Sequence, residues 1–213
     1  MRSWLLLMGG VLVLLAGCTR ADVGDGSAAI VVGGDDDGYH GAVLTEPYDV
    51  PGQPLTDTDG TDYSLARDPR TPLTLVFFGY TRCPDVCQMV MSTITSGLTR
   101  LTEQQREQVD VVFVTTDPAR DDAATLRAYL DQFDDGFIGL TGDLTTITTV
   151  AEKLGVYVAR GEELPDGGYE VDHSTPVIGV GDDGHAPIVW TQGTSSHEFA
   201  EDIERLLADQ VSP

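Results

Sequence analysis

Cys83 and Cys87 are the two residues whose types and spacing most directly suggest chemistry. They follow a continuous apolar stretch, residues 72–78, which is typical of a strand buried on both faces, and they precede an apolar helical repeat. A separation of four residues predicts that both sulfur atoms lie on one side of a helical turn. Because unpaired backbone N–H groups in the first turn of a helix favour negative charge, we expect both cysteines to favour the thiolate form.

Two thiols at this spacing suggest either a disulfide or a site for a soft metal ion. A Cys83–Cys87 disulfide would close a very short loop and constrain the unfolded chain little, so a purely structural bridge is the weaker alternative. The redox signature C-x-x-C is not present here, since three residues, Pro84 among them, separate the two cysteines. Both interpretations stay open on the residues alone.

The N-terminal sequence predicts that the protein is exported from the cytoplasm. Residues 1–17 read as a signal peptide, with a basic start at Arg2 and an apolar run of fourteen residues, 4–17. That run is shorter than the roughly 20 residues that span a membrane. Residues 15–18, Leu-Ala-Gly-Cys, resemble the bacterial lipobox, which implies lipidation of Cys18. An uncleaved N-terminal anchor is the alternative, and both place the protein at the cell membrane, facing the extracytoplasmic side.

The charge balance excludes one class of partner. The chain has 12 Lys and Arg against 35 Asp and Glu, a net charge of −23, so the phosphates of nucleic acids would repel it. Residues 18–45 are rich in Gly and Asp and poor in apolar residues, which predicts a lipid-anchored, flexible acidic tether. We therefore expect one folded domain over residues 46–213.

Strands and helices alternate along this domain. The predicted elements are an N-terminal hairpin over 55–65, strands at 72–78, 109–116, 137–140, 156–159 and 169–171, helices at 86–101, 123–133 and 144–154, a hairpin over 177–190, and a last helix that opens with a capping box at 195–198. This order predicts an α/β domain with a mixed central sheet flanked by helices on both faces. A cysteine pair directly after the first buried strand favours the thioredoxin-like fold.

Three segments together resemble the Sco/SenC family, the copper proteins of cytochrome oxidase assembly. They are residues 78–87 (FGYTRCPDVC), 115–121 (TTDPARD) and 171–174 (VDHS), in the family's order and spacing. The resemblance runs from about Tyr48 to Leu207. It implies a thioredoxin-like fold and one bound copper per chain.

The same resemblance implies that the copper ligands are Cys83, Cys87 and His173. It also implies a role in delivering copper to, or preparing, the dinuclear copper centre of cytochrome c oxidase subunit II. The chemistry agrees, because thiolates select Cu(I) and two thiolates with an imidazole also hold Cu(II). Zinc accepts the same three ligands with water as a fourth, so zinc stays an alternative.

The sequence departs from the family pattern in two places. Gln88 stands where the family usually has proline, which we expect to alter the start of the helix more than the ligand set. Pro176 lies three residues after His173 and is expected to reshape the loop that carries this ligand.

The remaining candidates are weaker. We expect His185 and His197 to be solvated surface residues, and His40 to be a loose metal ligand at most. Asp117 and Arg120 are expected to hold the loop that faces the cysteine turn, and Asp85 is either a docking charge or a first-turn acid.

The aromatic residues near these segments are interpreted as core: Phe78, Tyr80 and Trp190. A calcium loop is not expected, because the spacing of Asp57, Asp59 and Asp62 does not fit one.

Three functions are compatible with these residues. The first is a copper chaperone that hands its ion to an oxidase subunit by ligand exchange. The second is a thiol–disulfide oxidoreductase, in which Cys83 or Cys87 attacks a disulfide at the oxidase copper site and the other resolves it. A peroxidase of the same broad fold is the weakest, because it would not require this cysteine spacing together with a distant histidine.

Overall fold

The computed structural model describes residues 38–163 and 169–210. The predicted signal peptide, the lipidation site Cys18 and most of the predicted tether lie outside these residues. The ten strands are Ala42–Asp49 (β1), Leu55–Asp57 (β2), Asp62–Tyr63 (β3), Leu73–Gly79 (β4), Val109–Thr115 (β5), Ile138–Thr141 (β6), Val158–Glu163 (β7), Tyr169–His173 (β8), Val177–Gly181 (β9) and His185–Trp190 (β10). The five helices are Val86–Leu98 (α1), Glu103–Arg106 (α2), Ala123–Leu130 (α3), Leu144–Lys153 (α4) and Ser196–Gln210 (α5).

Eight strands form one mixed sheet in the order β1-β10-β9-β4-β5-β6-β2-β3. The central strands β4 and β5 are parallel, with Gly79 opposite Thr115, so their carboxyl ends meet at one edge of the sheet. Strand β9 runs antiparallel to β4, which brings the start of β9, at Val177, next to Phe77 at the same edge. Strands β7 and β8 form a separate antiparallel hairpin outside this sheet.

The alternation of side chains along β4 divides the core between the two faces of the sheet. Leu75 and Phe77 pack in one apolar cluster with residues of α1, α3 and α5. Val76 and Phe78 pack in the other with residues of α4. Strand β4 is therefore buried on both faces, as its continuous apolar sequence predicts.

The helix caps follow the sequence signals. Asp143 accepts a hydrogen bond from the N–H of Thr146 at the start of α4, and Gly155 just beyond its end has a φ of +70°. Ser195 and Glu198 form the predicted reciprocal cap of α5. None of the helices in the described ranges is both long and apolar enough to cross a membrane.

The N-terminal edge of the domain differs from the prediction. Strand β1 begins at Ala42, so the predicted boundary at residue 46 is four residues too late. The segment just before it is held on α5, because the buried carboxylate of Asp202 accepts the backbone N–H groups of His40 and Gly41. Pro47 argues against a strand in the sequence, because proline cannot donate a hydrogen bond to a neighbouring strand. It is tolerated here because β1 is an edge strand of the sheet.

Candidate metal centre

The two cysteines lie on either side of a helix start rather than both within the helix. Cys83 belongs to the turn after β4, where its N–H donates to the carbonyl of Tyr80 at 3.2 Å, and α1 begins only at Val86. The expectation that both cysteines occupy the first helical turn is therefore wrong for Cys83. The two residues still meet, because the N–H of Cys87, in the first turn of α1, donates to the Sγ atom of Cys83 at 3.3 Å. Both thiols are free.

His173 reaches the cysteines from the end of the β7–β8 hairpin. Its Nε2 atom lies 3.7 Å from the Sγ atom of Cys87. One ligand atom from each of Cys83, Cys87 and His173 lies within 4.8 Å of the other two. Ligand atoms roughly 2.0–2.3 Å from one ion are separated by at most about 4.6 Å, so small side-chain adjustments suffice to close these three on a metal.

The orientation of the imidazole suits a metal ligand. The Nδ1 atom of His173 lies 3.0 Å from the backbone oxygen of Ser174. Because a carbonyl only accepts hydrogen bonds, Nδ1 carries the proton, and the Nε2 lone pair faces Cys87. Pro176 does not keep His173 away from the cysteines.

Burial changes the expected chemistry of Cys87. Its side chain is fully buried, and burial is the main reason that its thiol pKa is raised well above the ordinary value in the metal-free protein. The neighbouring Cys83 and the negative charge of Asp121 act in the same direction. The prediction that the helix start keeps this cysteine as a thiolate is therefore wrong, and a metal ion must displace a proton to bind it.

Glycine at position 79 makes room for the Cys87 sulfur. A Cβ atom on Gly79 would lie 3.1 Å from Cys87 Sγ, 2.9 Å from Phe77 and 3.1 Å from Phe113. The end of β4 can therefore approach the sulfur closely only because residue 79 has no side chain.

Tyr80, predicted to be core, is partly buried against the apolar cluster on the α1 face of the sheet and also belongs to the site, whereas Phe78 and Trp190 are fully buried as expected. Its ring lies edge-on to the His173 ring, with 5.7 Å between centroids. It lines an open cavity with Cys83, Pro84, Asp85, Val86, Val171 and His173. Burial, followed by electrostatic interaction with the two cysteines, raises the pKa of Tyr80 to about 12, so its hydroxyl stays neutral and can donate a hydrogen bond.

The residue that sequence reasoning missed is Asp121, the last of the segment 115–121. Its buried carboxylate accepts the N–H of Thr81 at 2.9 Å, the Thr81 hydroxyl at 2.6 Å and the Thr115 hydroxyl at 2.8 Å. These bonds fasten the cysteine turn to the end of β5. Next to it, Arg120 pairs with the buried Asp117, in agreement with the predicted role of that pair in holding the loop.

The other three histidines lie apart from the centre. His40, His185 and His197 each pair with an acidic side chain and are 41%, 49% and 67% exposed, which agrees with surface positions. Asp85 is exposed at the N-cap of α1 and makes no side-chain capping bond there.

The sequence and the fold match one family of known proteins. A family model described as SCO1/SenC matches residues 48–208. Among solved structures, ScoI of Bradyrhizobium japonicum with copper bound is 32% identical with a TM-score of 0.64, covering 76% of this chain and 98% of that one. The apo Sco1 protein of Thermus thermophilus is 27% identical with a TM-score of 0.70, covering 82% and 99%. These likenesses confirm the predicted thioredoxin-like fold.

Curated relatives agree over a shorter range. The mitochondrial SCO2 homologue of Mus musculus is 31% identical over 135 residues, which cover 63% of this chain and 53% of that protein. The chain spans about half the length of the curated relatives it matches.

Proposed function

The chain belongs to the SCO1/SenC family, and on this premise we propose that it binds one copper ion through Cys83, Cys87 and His173 and delivers it during cytochrome c oxidase assembly. The convergence of two thiols and one imidazole within 4.8 Å carries this proposal. Thiolates are soft ligands that select copper over the hard cations, and the imidazole adds a donor that serves both Cu(I) and Cu(II). The relative with copper bound supports copper over zinc.

The exposure of the site suits transfer rather than permanent storage. Cys83 is partly exposed and lines the cavity, whereas Cys87 is buried. A thiolate or imidazole of an acceptor can therefore approach the metal from the side of Cys83. In such a ligand exchange, copper keeps its oxidation state, the acceptor ligands replace the donor ligands one by one, and each released cysteine takes up a proton.

The acceptor proposed here is cytochrome c oxidase subunit II or an assembly intermediate of its dinuclear copper centre. This partner follows from the family resemblance. An extracytoplasmic position at the membrane fits it, and the signal-peptide pattern of residues 1–17 and the lipobox-like residues 15–18 support that position.

A thiol–disulfide oxidoreductase that keeps the oxidase cysteines reduced is the second candidate. The contact between the Cys87 N–H and Cys83 Sγ favours it, because it brings two free thiols together, one partly exposed and one buried. The exposed Cys83 would attack a partner disulfide, and Cys87 would then attack Cys83 to release the reduced partner, leaving a Cys83–Cys87 disulfide.

The copper proposal is tested by metal analysis of the full chain purified under reducing conditions. We expect about one copper per chain, and sulfur-to-copper charge-transfer absorption in the Cu(II) form. Cys83→Ser and Cys87→Ser should lose that absorption, whereas the surface variant His185→Ala should keep it. A protein that takes up zinc and refuses copper would contradict the proposal.

A further inference from the structure

Asp121 is a buried carboxylate with a defined role as hydrogen-bond acceptor. It is 0% exposed. The Thr115 hydroxyl accepts the N–H of Asp117 at 3.0 Å, which leaves its own hydrogen for Asp121. With the backbone N–H and the hydroxyl of Thr81, the carboxylate thus receives three donors, as suits an ionised group.

The negative charge of Asp121 has no basic ion-pair partner among the described residues. Within residues 38–163 and 169–210, none of the ion pairs includes Asp121, and the adjacent Arg120 pairs with Asp117. Buried charges in proteins are usually paired with an opposite charge or coordinate a metal ion, whereas Asp121 is held by three hydrogen bonds. The field of an unmatched buried carboxylate is weakly screened, so it reaches the neighbouring cysteines, and it contributes to the raised pKa of Cys87.

The oxidation state of a bound copper ion changes the charge beside Asp121. Two thiolates and a neutral imidazole with Cu(I) carry a net charge of −1, whereas the same ligands with Cu(II) are neutral. A fixed negative charge nearby repels the Cu(I) complex more than the Cu(II) complex. The buried Asp121 carboxylate therefore has a direct electrostatic effect on the one-electron equilibrium between the Cu(I) and Cu(II) states.

We propose that Asp121 is a positioning residue of the copper centre whose buried charge favours Cu(II) over Cu(I). It does not touch the metal: its hydrogen bonds to Thr81 hold the cysteine turn in place, and its charge, rather than that geometry, sets the preference for Cu(II). The inference rests on the proposed copper site.

The test compares isosteric variants of the full chain loaded with one copper ion. The Cu(II) fraction is followed by its sulfur charge-transfer absorption while a redox mediator sets the potential. Asp121→Asn keeps the shape and removes the charge, and we expect it to raise the Cu(I):Cu(II) ratio at least tenfold at a fixed potential. For a one-electron couple this is a rise of about 59 mV in midpoint potential.

Two control variants separate charge from geometry. Thr81→Val removes one hydrogen bond to Asp121 but leaves the charge, so its ratio should change less than threefold. Asp85→Asn removes an exposed charge next to the cysteines, and its effect should fade at about 1 M salt, where the Debye length is about 3 Å. The Asp121→Asn effect should persist at that salt concentration, because the carboxylate is buried.

The outcomes are distinguishable. An Asp121→Asn protein with one copper and an unchanged ratio overturns this inference and leaves the proposed copper site intact. A Thr81→Val shift equal to that of Asp121→Asn also overturns it, since geometry alone would then explain the effect. Failure of the wild-type chain to bind copper overturns both proposals. If Asp121→Asn does not fold, Asp121→Ser provides a second variant without the charge. It should raise the Cu(I):Cu(II) ratio at least tenfold at the same potential, and an unchanged ratio would overturn the inference.

Discussion

The Nε2 atom of His173 lies 3.7 Å from the Sγ atom of Cys87, although 86 residues separate them in the chain. The β7–β8 hairpin, which lies outside the main sheet, delivers the histidine to the edge where β4 and β5 end. The cysteines are fixed by the turn between β4 and α1, whereas the histidine arrives on a separate element. Assembly of the three-residue site therefore depends on contact between the β4–α1 turn and the β7–β8 hairpin.

The metal-free protein should show unequal cysteine reactivity. Because burial raises the thiol pKa of Cys87, the thiolate fraction of Cys87 stays small at pH 8. We expect iodoacetamide to modify Cys83 at least tenfold faster than Cys87 in the reduced, copper-free chain, as followed by peptide mass spectrometry. In urea the two rates should converge. Equal rates in the folded protein would show that Cys87 is not buried as a neutral thiol.

The same raised pKa has a consequence for stability. A neutral thiol is favoured in the folded state, so the contribution of Cys87 is fully present below the pKa of the unfolded thiol, about 8.5, and is lost as pH rises above it. The free energy of unfolding of the copper-free chain should therefore fall from pH 8 to pH 10 by more than that of Cys87→Ala. Urea unfolding at several pH values measures this difference, and parallel curves for the two proteins would contradict it.

Gly79→Ala should damage the copper centre specifically. The new Cβ would lie 3.1 Å from Cys87 Sγ and against two phenylalanine rings, so we expect a destabilisation of about 1–3 kcal/mol and weaker copper binding. Gly193→Ala is the matched control, because a Cβ at Gly193 meets no atom within 4 Å. Urea unfolding and copper competition measure the two effects. A Gly79→Ala chain that matches Gly193→Ala in both would refute the assigned role of this close approach.

Much of the fold could be predicted from the sequence because its signals are local. The apolar repeat Val86, Val90, Ile94 and Leu98 lies on α1, and the uninterrupted apolar residues 72–78 coincide closely with β4. The cysteine turn shows where local reasoning fails. Pro84 disfavours helical backbone at the residue before it, so Cys83 stays outside α1 even though its spacing from Cys87 fits a helix.

The supporting residues of the site could not be found by pattern. Tyr80 reads as one more aromatic residue after a buried strand, and only the position of the β7–β8 hairpin makes it a neighbour of His173. Asp121 reads as a loop acid, and its burial depends on the alignment of β4 with β5, which places Thr81 and Thr115 side by side around it. Long-range geometry of this kind is not contained in residue spacing.

Cys18→Ser should change how the protein is processed. If Cys18 is the lipidated N-terminus predicted from residues 15–18, the variant should either stay unprocessed or leave the membrane fraction. Mass spectrometry of the mature N-terminus and membrane fractionation measure these outcomes. Normal processing of wild type at another residue would contradict the lipid-anchor prediction, while leaving the folded domain and its copper site untouched.

His173→Ala should separate the copper carrier from the thiol reductase. A reductase requires the Cys83–Cys87 pair, which this variant keeps, together with the N–H contact between them. A carrier requires the third ligand, and removal of one of three donors should weaken copper binding on the order of 100-fold or more. We therefore expect the variant to cycle between dithiol and disulfide at the wild-type potential, yet to lose copper-dependent maturation of the oxidase in cells.

The matched variant for this experiment is His185→Ala, which removes an exposed imidazole distant in the fold from the cysteines. It should mature the oxidase normally, so a loss with His173→Ala alone is due to the ligand rather than to imidazole content. Thiol titration and the disulfide potential confirm that the cysteine pair of His173→Ala is intact. Normal oxidase maturation with His173→Ala, combined with its loss in Cys83→Ser, would exclude the carrier and make thiol–disulfide exchange the function of this site, because only the cysteines would then be required.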